Sequence, residues 1–241
     1  MCNDHLALSP DQRETLLDWL ASSDAGMSPT PGYQASVRIY RGPAGAYFIK
    51  EPSGWGLRKT LSRAAIRREE RVYRRLQGIS GIPRCYGRID DRYLVLEHVP
   101  GGTLHALEDE LSDREKFYAR LLETLLSMHD AGVAHGDLKR KRNILVGPGE
   151  QPFVIDFGIA VTVDGQRGFL YDLARQVDRN AWIKHKYRGQ IGNISHNDAA
   201  LYRPMRSERL ARALRIAWNA VTLRKWRKRR RKSRDARASG G

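Results

Sequence analysis

Cysteine is scarce in this sequence. The 241 residues hold two, Cys2 and Cys85, too far apart to match a zinc-ligand spacing or a disulfide framework. Neither bridges nor metal staples are therefore expected to hold the fold, and a reducing, cytoplasmic setting is the expectation. Long apolar runs are missing too: none approaches the ~20 residues that span a bilayer, and the opening Met-Cys-Asn-Asp-His lacks the basic-then-apolar profile of a secretory leader. No internal period marks a repeat architecture, and the composition is not that of a fibrous or collagen-like chain. Acidic residues are outnumbered, 27 Asp and Glu against 43 Lys and Arg, for a net charge of +16. Such an excess points to polyanionic partners.

What is present is enough apolar material, 41%, for one sizeable core or two small lobes sharing a cleft. Residues 1–27 read as an accessory helix: Ser9 is the cap, Pro10 suits the first helical position, Gln12 completes a capping box, and Leu16, Leu17 and Leu20 form the apolar stripe. Gly26 and the Pro-rich stretch at 28–32 end it. Residues 28–97 read as a small β-rich lobe. Val37–Tyr40 and Ala46–Lys50 flank a Gly-Pro-Ala-Gly hairpin signal; a basic helix follows over residues 58–76, then a strand at 92–96. Glu97-His98-Val99-Pro100-Gly101-Gly102 reads as a hinge. Residues 98–223 form a second, mainly helical lobe, in which Ser112 and Glu115 suggest a capping box ahead of Phe117, Leu121, Leu122, Leu125 and Met128. Two short strands, 143–146 and 153–155, bracket a Gly-Pro-Gly turn. A helical stripe over residues 207–223 precedes the basic tail 224–241, which carries +9 of the net charge. That tail is expected to be disordered and solvated or to meet a polyanion, either an anionic membrane surface or a nucleic acid.

Chemistry-bearing residues cluster at the ends of the two short strands. His135-Gly136-Asp137-Leu138-Lys139, then Asn143-Ile144-Leu145-Val146, then Val154-Ile155-Asp156-Phe157-Gly158, occur in that order at short spacing. Moving a phosphoryl group needs in-line positioning of a hydroxyl, cations against the phosphate charge, and a carboxylate to take the hydroxyl proton. Asp137 is the candidate carboxylate, Lys139 the cation two residues on, and Asp156 with Asn143 the oxygen donors for magnesium, or manganese in its place. His135 is expected to be a brace rather than a base.

Together these motifs resemble the catalytic and metal-binding loops of the protein-kinase superfamily over roughly residues 33–180. The resemblance implies an α+β, bilobal protein-kinase-like fold with a small β-rich N-lobe and a helical C-lobe, truncated relative to eukaryotic-type kinases. It makes Lys50 the lysine that grips the ATP phosphates, Glu69 its partner in preference to Glu70, and Glu97 and Val99 the hinge residues at the nucleotide. Asp172 is the candidate for the aspartate that ties a following helix to the catalytic loop, with an ordinary helix-start aspartate as the alternative.

The pattern also departs from that family. Asn143 stands six residues after Asp137 rather than five, so the loop carries one extra residue. Gly136 replaces the arginine that reads a phosphorylated activation segment. Asp172 follows Gly158 by only 14 positions, and no Ala-Pro-Glu is present. The glycine-rich lid is reduced to Gly32–Ser36. These features resemble small atypical kinases of the RIO type and the lipopolysaccharide core sugar kinases. The expected activity is ATP-dependent transfer to a protein Ser/Thr hydroxyl. An envelope sugar is the alternative acceptor, and a kinase-shaped scaffold binding membrane or nucleic acid is the alternative class. Localisation is expected to be cytoplasmic, peripheral on the inner membrane face if the tail binds lipid.

Overall fold

The computed structural model describes residues 7–22, 35–52, 57–165 and 168–204. Residues 1–202 gather into one unit and 203–241 into another, and every described element belongs to the first. The Pro-rich stretch at 28–32, the stripe at 207–223 and the basic run from residue 224 lie outside the described residues.

The first described element is helix α1 (Pro10–Ala21), whose capping box is complete: Ser9 Oγ accepts the Gln12 N–H at 3.2 Å and Gln12 Oε1 accepts the Ser9 N–H at 2.9 Å. Twelve residues are too few for a helix to persist alone in water. Its support comes from Leu16 and Leu20, one turn apart, which pack among Tyr40, Tyr47, Ile49, Ile89, Tyr93 and Val95. Each such burial is worth roughly 1.5–3 kcal/mol over exposure.

Those residues belong to the outer face of a four-stranded antiparallel sheet, β1 (Ala35–Gly42), β2 (Gly45–Pro52), β3 (Cys85–Ile89) and β4 (Tyr93–Glu97), in the order β1-β2-β4-β3. Side chains alternate along a strand, so Tyr47 and Ile49 turn toward α1 while Phe48 and Lys50 turn inward. Helix α2 (Leu57–Arg75) covers the inner face with Ile66, Val72 and Tyr73, joined by Leu76 just past its end. With both faces covered, β4 has no polar alternation, which is why Tyr93-Leu94-Val95-Leu96 reads as a continuous apolar run. Strand β3 is not anticipated in the sequence. Gly87, at φ +93°, lies at a bulge that breaks its alternation.

The hinge leads to the second lobe. Gly101 has φ +122°, and a Cβ there would stand 2.1 Å from the Val146 carbonyl oxygen, so the chain can cross at that point only as glycine. Beyond it come β5 (Gly102–Thr103), α3 (Leu104–Leu107) and α4 (Arg114–Asp130). The cap of α4 differs from the sequence expectation. Asp113, not Ser112, accepts the Lys116 N–H, at 2.9 Å, while the Ser112 and Asp113 N–H groups donate to the Glu150 carboxylate at 2.6 and 3.2 Å. A carboxylate one residue later captures the helix start, and the remote Glu150 takes the donors that a capping box would otherwise satisfy.

The remaining elements are β6 (Val133–Ala134), β7 (Ile144–Val146), β8 (Pro152–Val154), β9 (Val161–Thr162), α5 (Phe169–Lys186) and α6 (His196–Ala199). Strands β5, β7 and β8 form one small sheet, and β6 pairs with β9. Helices α4 and α5 face each other across Phe117, Tyr118, Leu121, Trp182 and Ile183, and the Trp182 indole N–H donates to the Tyr118 carbonyl at 2.8 Å. No helix among the described residues is long and apolar enough to cross a membrane. The result is the α+β, two-lobed arrangement expected from the sequence, with a small antiparallel-sheet lobe over a helical one.

Candidate active site

Strand β2 carries Lys50 on its inward face, where it is 5% exposed. Its ammonium donates to Glu69 Oε1 at 2.6 Å and to Asp156 Oδ1 at 3.2 Å. Helical spacing selects Glu69. It lies three residues after Ile66, three before Val72 and four before Tyr73, on the buried stripe of α2. Glu70 turns the other way and binds Arg74, at 3.0 Å, and Arg88. Burial disfavours the Lys50 charge, yet the two carboxylates outweigh it and hold its pKa above the ordinary value. Burial likewise works against ionised Asp156, and the Lys50 charge overrides it, so that carboxyl stays below its usual range.

Asp156 adopts φ +67°, a left-handed conformation that costs a non-glycine residue energy and must be held by its surroundings. Its N–H donates to the Tyr73 hydroxyl at 3.3 Å. The next residue, Phe157, is fully buried with its ring 4.9 Å from Tyr73 and 5.1 Å from His135. His135 braces the loop. Its Nε2 donates to the Ile155 carbonyl at 2.9 Å and its Nδ1 accepts the Asp137 N–H at 3.3 Å, which fixes the tautomer.

Asp137 is 7% exposed, and burial raises its pKa against the opposing charges of Arg140 and Lys139. The negative charge of Asp156 adds to the upward shift. The Arg140 guanidinium sits 2.8 Å from Asp137 Oδ2. Lys139 is exposed.

The extra residue of this loop is absorbed by a 3-10 turn at Lys141–Asn143. Arg140 N–H donates to the Asp137 carbonyl at 3.2 Å and Asn143 N–H to the Arg140 carbonyl at 2.9 Å. Asn143 is thereby buried beneath Asp137, its amide nitrogen donating to the Asp137 carbonyl at 3.1 Å. With the nitrogen so engaged, the amide oxygen is the end left for another partner. Lys141 is pinned by Glu108, which also receives Arg114, at 2.9 Å, and Tyr118, at 3.0 Å.

At the hinge the Glu97 side chain is occupied, accepting the Arg84 N–H at 3.0 Å, so only its main chain can face a ligand. Val99 is partly buried beside it. Of the candidate lid, Ala35 and Ser36 begin β1, and Gly32, Tyr33 and Gln34 lie outside the described residues.

Asp172 is not the residue that ties a helix to the catalytic loop. It lies exposed in the first turn of α5 and pairs with Arg175 at 3.4 Å. That tie is made by Asp178, 0% exposed, which accepts the N–H groups of His135 at 2.7 Å and Gly136 at 2.8 Å and contacts His129 Nε2 at 3.3 Å. A signal for it exists in the sequence. Tyr171, Ala174, Ala181 and Trp182 define the buried stripe of α5, and Asp178 is the acid that shares it.

The donor set suits a hard divalent cation. Asp156 and Asn143 are oxygen donors, and no cluster of three or more His, Cys, Asp or Glu suited to a metal occurs among the described residues. Two protein oxygens completed by phosphate oxygens and water are what magnesium accepts.

Comparison with known proteins agrees with this geometry. The family described as "Protein kinase domain" matches over residues 56–177. Maternal embryonic leucine zipper kinase of Danio rerio is 37% identical over 82 residues, covering 32% of this chain and 12% of that protein. CBL-interacting protein kinase 21 of Oryza sativa subsp. japonica is 39% identical over 120 residues, 46% of this chain and 23% of its own length. Serine/threonine-protein kinase cds1 of Schizosaccharomyces pombe is 34% identical over 99 residues, with shares of 37% and 21%. The chain thus spans less than a quarter of the length of each of these relatives. The matched region takes in half of the chain, with Glu69, Asp137, Asn143 and Asp156 inside it and the buried Asp178 one residue beyond, and the chain belongs to the protein kinase domain family.

Proposed function

We propose that this protein is an ATP-dependent kinase that transfers the γ-phosphoryl group to Ser or Thr hydroxyls of a protein acceptor. The observation that carries the reading is the buried Lys50–Glu69 ion pair joined to the part-buried Asp156, with a second, buried carboxylate, Asp137, at the catalytic loop. Ser/Thr kinases among the relatives favour the protein acceptor. Lys50 grips the α- and β-phosphates, and the main chain at Glu97 and Val99 holds the adenine. Asp156 and Asn143 would hold magnesium, which would supply positive charge against the phosphates. Asp137 orients the acceptor hydroxyl and takes its proton as the new O–P bond forms and the bond to the β-phosphate oxygen breaks. Lys139 offsets charge on the group in transit.

The short activation segment and Gly136 support a finer kinship with small atypical kinases of the RIO or lipopolysaccharide core type. The basic tail supports a cytoplasmic enzyme that visits an anionic surface, membrane or nucleic acid. The test supplies γ-labelled ATP to a cell extract with wild type, Asp137→Asn and Asp156→Asn. Label in protein is expected with wild type, and each variant should lower transfer by about 10³-fold while remaining folded. Transfer that persists in both variants refutes the assignment.

A further inference from the structure

The loop from Asp137 to Asn143 carries four consecutive cations, Lys139, Arg140, Lys141 and Arg142. They are not equivalent. Leu138 before them is 2% exposed, its carbonyl accepting from His185 Nε2 at 2.8 Å, and Lys141 is held by Glu108. The loop backbone is therefore fixed from both sides, and the turn hydrogen bonds at Arg140 fix its own main chain. The cation that reaches Asp137 is Arg140, whose side chain is 54% exposed although the Asp137 side chain is 10% exposed.

This placement has a chemical consequence. An acceptor hydroxyl must approach the Asp137 carboxylate to within hydrogen-bond distance, and one of its two oxygens already receives Arg140 at 2.8 Å. The guanidinium then has two positions open to it. It can stay on Oδ2 while the hydroxyl uses Oδ1, or it can leave. In both, a planar cation with five N–H donors, few of them spent, lies against the residues that flank the hydroxyl. A partly exposed ion pair is weak enough to be surrendered to a better partner. A carboxylate next to the hydroxyl is such a partner, since it can take two parallel N–H bonds; a neutral neighbour leaves the donors stripped of water, and a cation is repelled. Exposed Lys139 and Arg142 bias the surroundings in the same sense.

We propose that Arg140 is a specificity-determining residue, selecting acceptor Ser or Thr hydroxyls flanked by acidic side chains. This rests on the kinase reading above, and the chemistry is shared by an anionic sugar phosphate, which the test separates.

Three peptides of equal length, with one serine flanked by aspartate, alanine or arginine, are phosphorylated by wild type, Arg140→Ala and Arg140→Glu. Wild type should favour the aspartate peptide over the alanine peptide by about tenfold in kcat/KM, chiefly through KM, with the arginine peptide poorest. The preference should vanish in Arg140→Ala and reverse in Arg140→Glu. The same order of peptides in all three proteins overturns the role of Arg140 and leaves the kinase reading standing. No transfer to any peptide, with label instead on an anionic glycolipid added in parallel, overturns the acidic-peptide acceptor. No Asp156-dependent transfer to anything overturns both.

Discussion

Truncation of Asp178 isolates the contact on which the catalytic loop depends. Its carboxylate is fully buried and receives two main-chain N–H groups, from His135 at 2.7 Å and Gly136 at 2.8 Å. Alanine leaves both donors without an acceptor in a dry interior, at about 1–3 kcal/mol each, or about 2–6 kcal/mol together. That is a large part of the roughly 5–15 kcal/mol by which a domain is stable. Asparagine retains one carbonyl oxygen and presents an amide to the second donor, so its loss should be about half as large. Asp172→Ala is the control, because its partly exposed pair with Arg175 at 3.4 Å is worth at most about 1 kcal/mol. Urea unfolding followed by tryptophan fluorescence reads the difference, with Trp182 buried in the same helix as both aspartates. For a denaturant slope of about 1–3 kcal/mol per molar, the midpoint of Asp178→Ala should fall by about 1–2 M and that of Asp172→Ala should barely move. Equal midpoints for the two variants would refute the assignment of the anchor to Asp178.

Other consequences follow from neighbouring contacts. Lys50→Met should lower phosphoryl transfer by about 10²-fold or more in steady-state assays, because the cation assigned to the ATP phosphates is removed and Asp156 loses its ion pair. Glu108 loses water on burial, and hydrogen bonds from Lys141, Arg114 and Tyr118 override that cost and hold its carboxyl down to about 2. Since the folded value lies below the unfolded one, its stabilisation is complete above about pH 4.5 and is lost as pH falls through the folded value. The unfolding midpoints of wild type and Glu108→Gln should therefore converge as the buffer is taken from pH 6 toward about pH 2. Phosphatase pretreatment should leave transfer unchanged, since Gly136 offers no side chain to read a phosphate on the activation segment.

Much of the site is legible in the sequence because its residues fall at points where two local rules meet. Lys50 ends an alternating strand, and Glu69 shares a stripe with Ile66, Val72 and Tyr73, so a period of two and a period of 3.6 aim both at one place. The first helix is legible from its capping box and the leucine stripe behind it. What resisted reading depends on partners distant in sequence. Glu150 takes the donors at Ser112 and Asp113 across 38 and 37 positions, moving the α4 cap by one residue. Asp178 reaches back 43 residues to His135, and nothing near it marks that role except its place on an apolar stripe. Strand β3 is hidden for a local reason, since Gly87 interrupts the pattern at the bulge.

How the site stays assembled follows from two arginines of α2. In kinases switched by phosphorylation a basic pocket waits for a phosphate to order the activation segment. Here Arg68 donates to the Gly158 carbonyl at 3.3 Å and to that of Ala160, immediately after the Asp156-Phe157-Gly158 turn. Two turns further along the same face of the helix, Arg75 donates to the Ala131 carbonyl at 2.5 Å and the Val163 carbonyl at 2.7 Å, and its guanidinium meets Asp164 at 2.5 Å. The helix that carries Glu69 is thus fastened at two points to the segment that follows Asp156. Main-chain carbonyls are always present, whereas a phosphate comes and goes. A segment held by carbonyls needs no modification to place Glu69 against Lys50, and the same bonds leave it little freedom to swing out. The short segment after Gly158 is thus held by permanent main-chain contacts from the helix that carries Glu69.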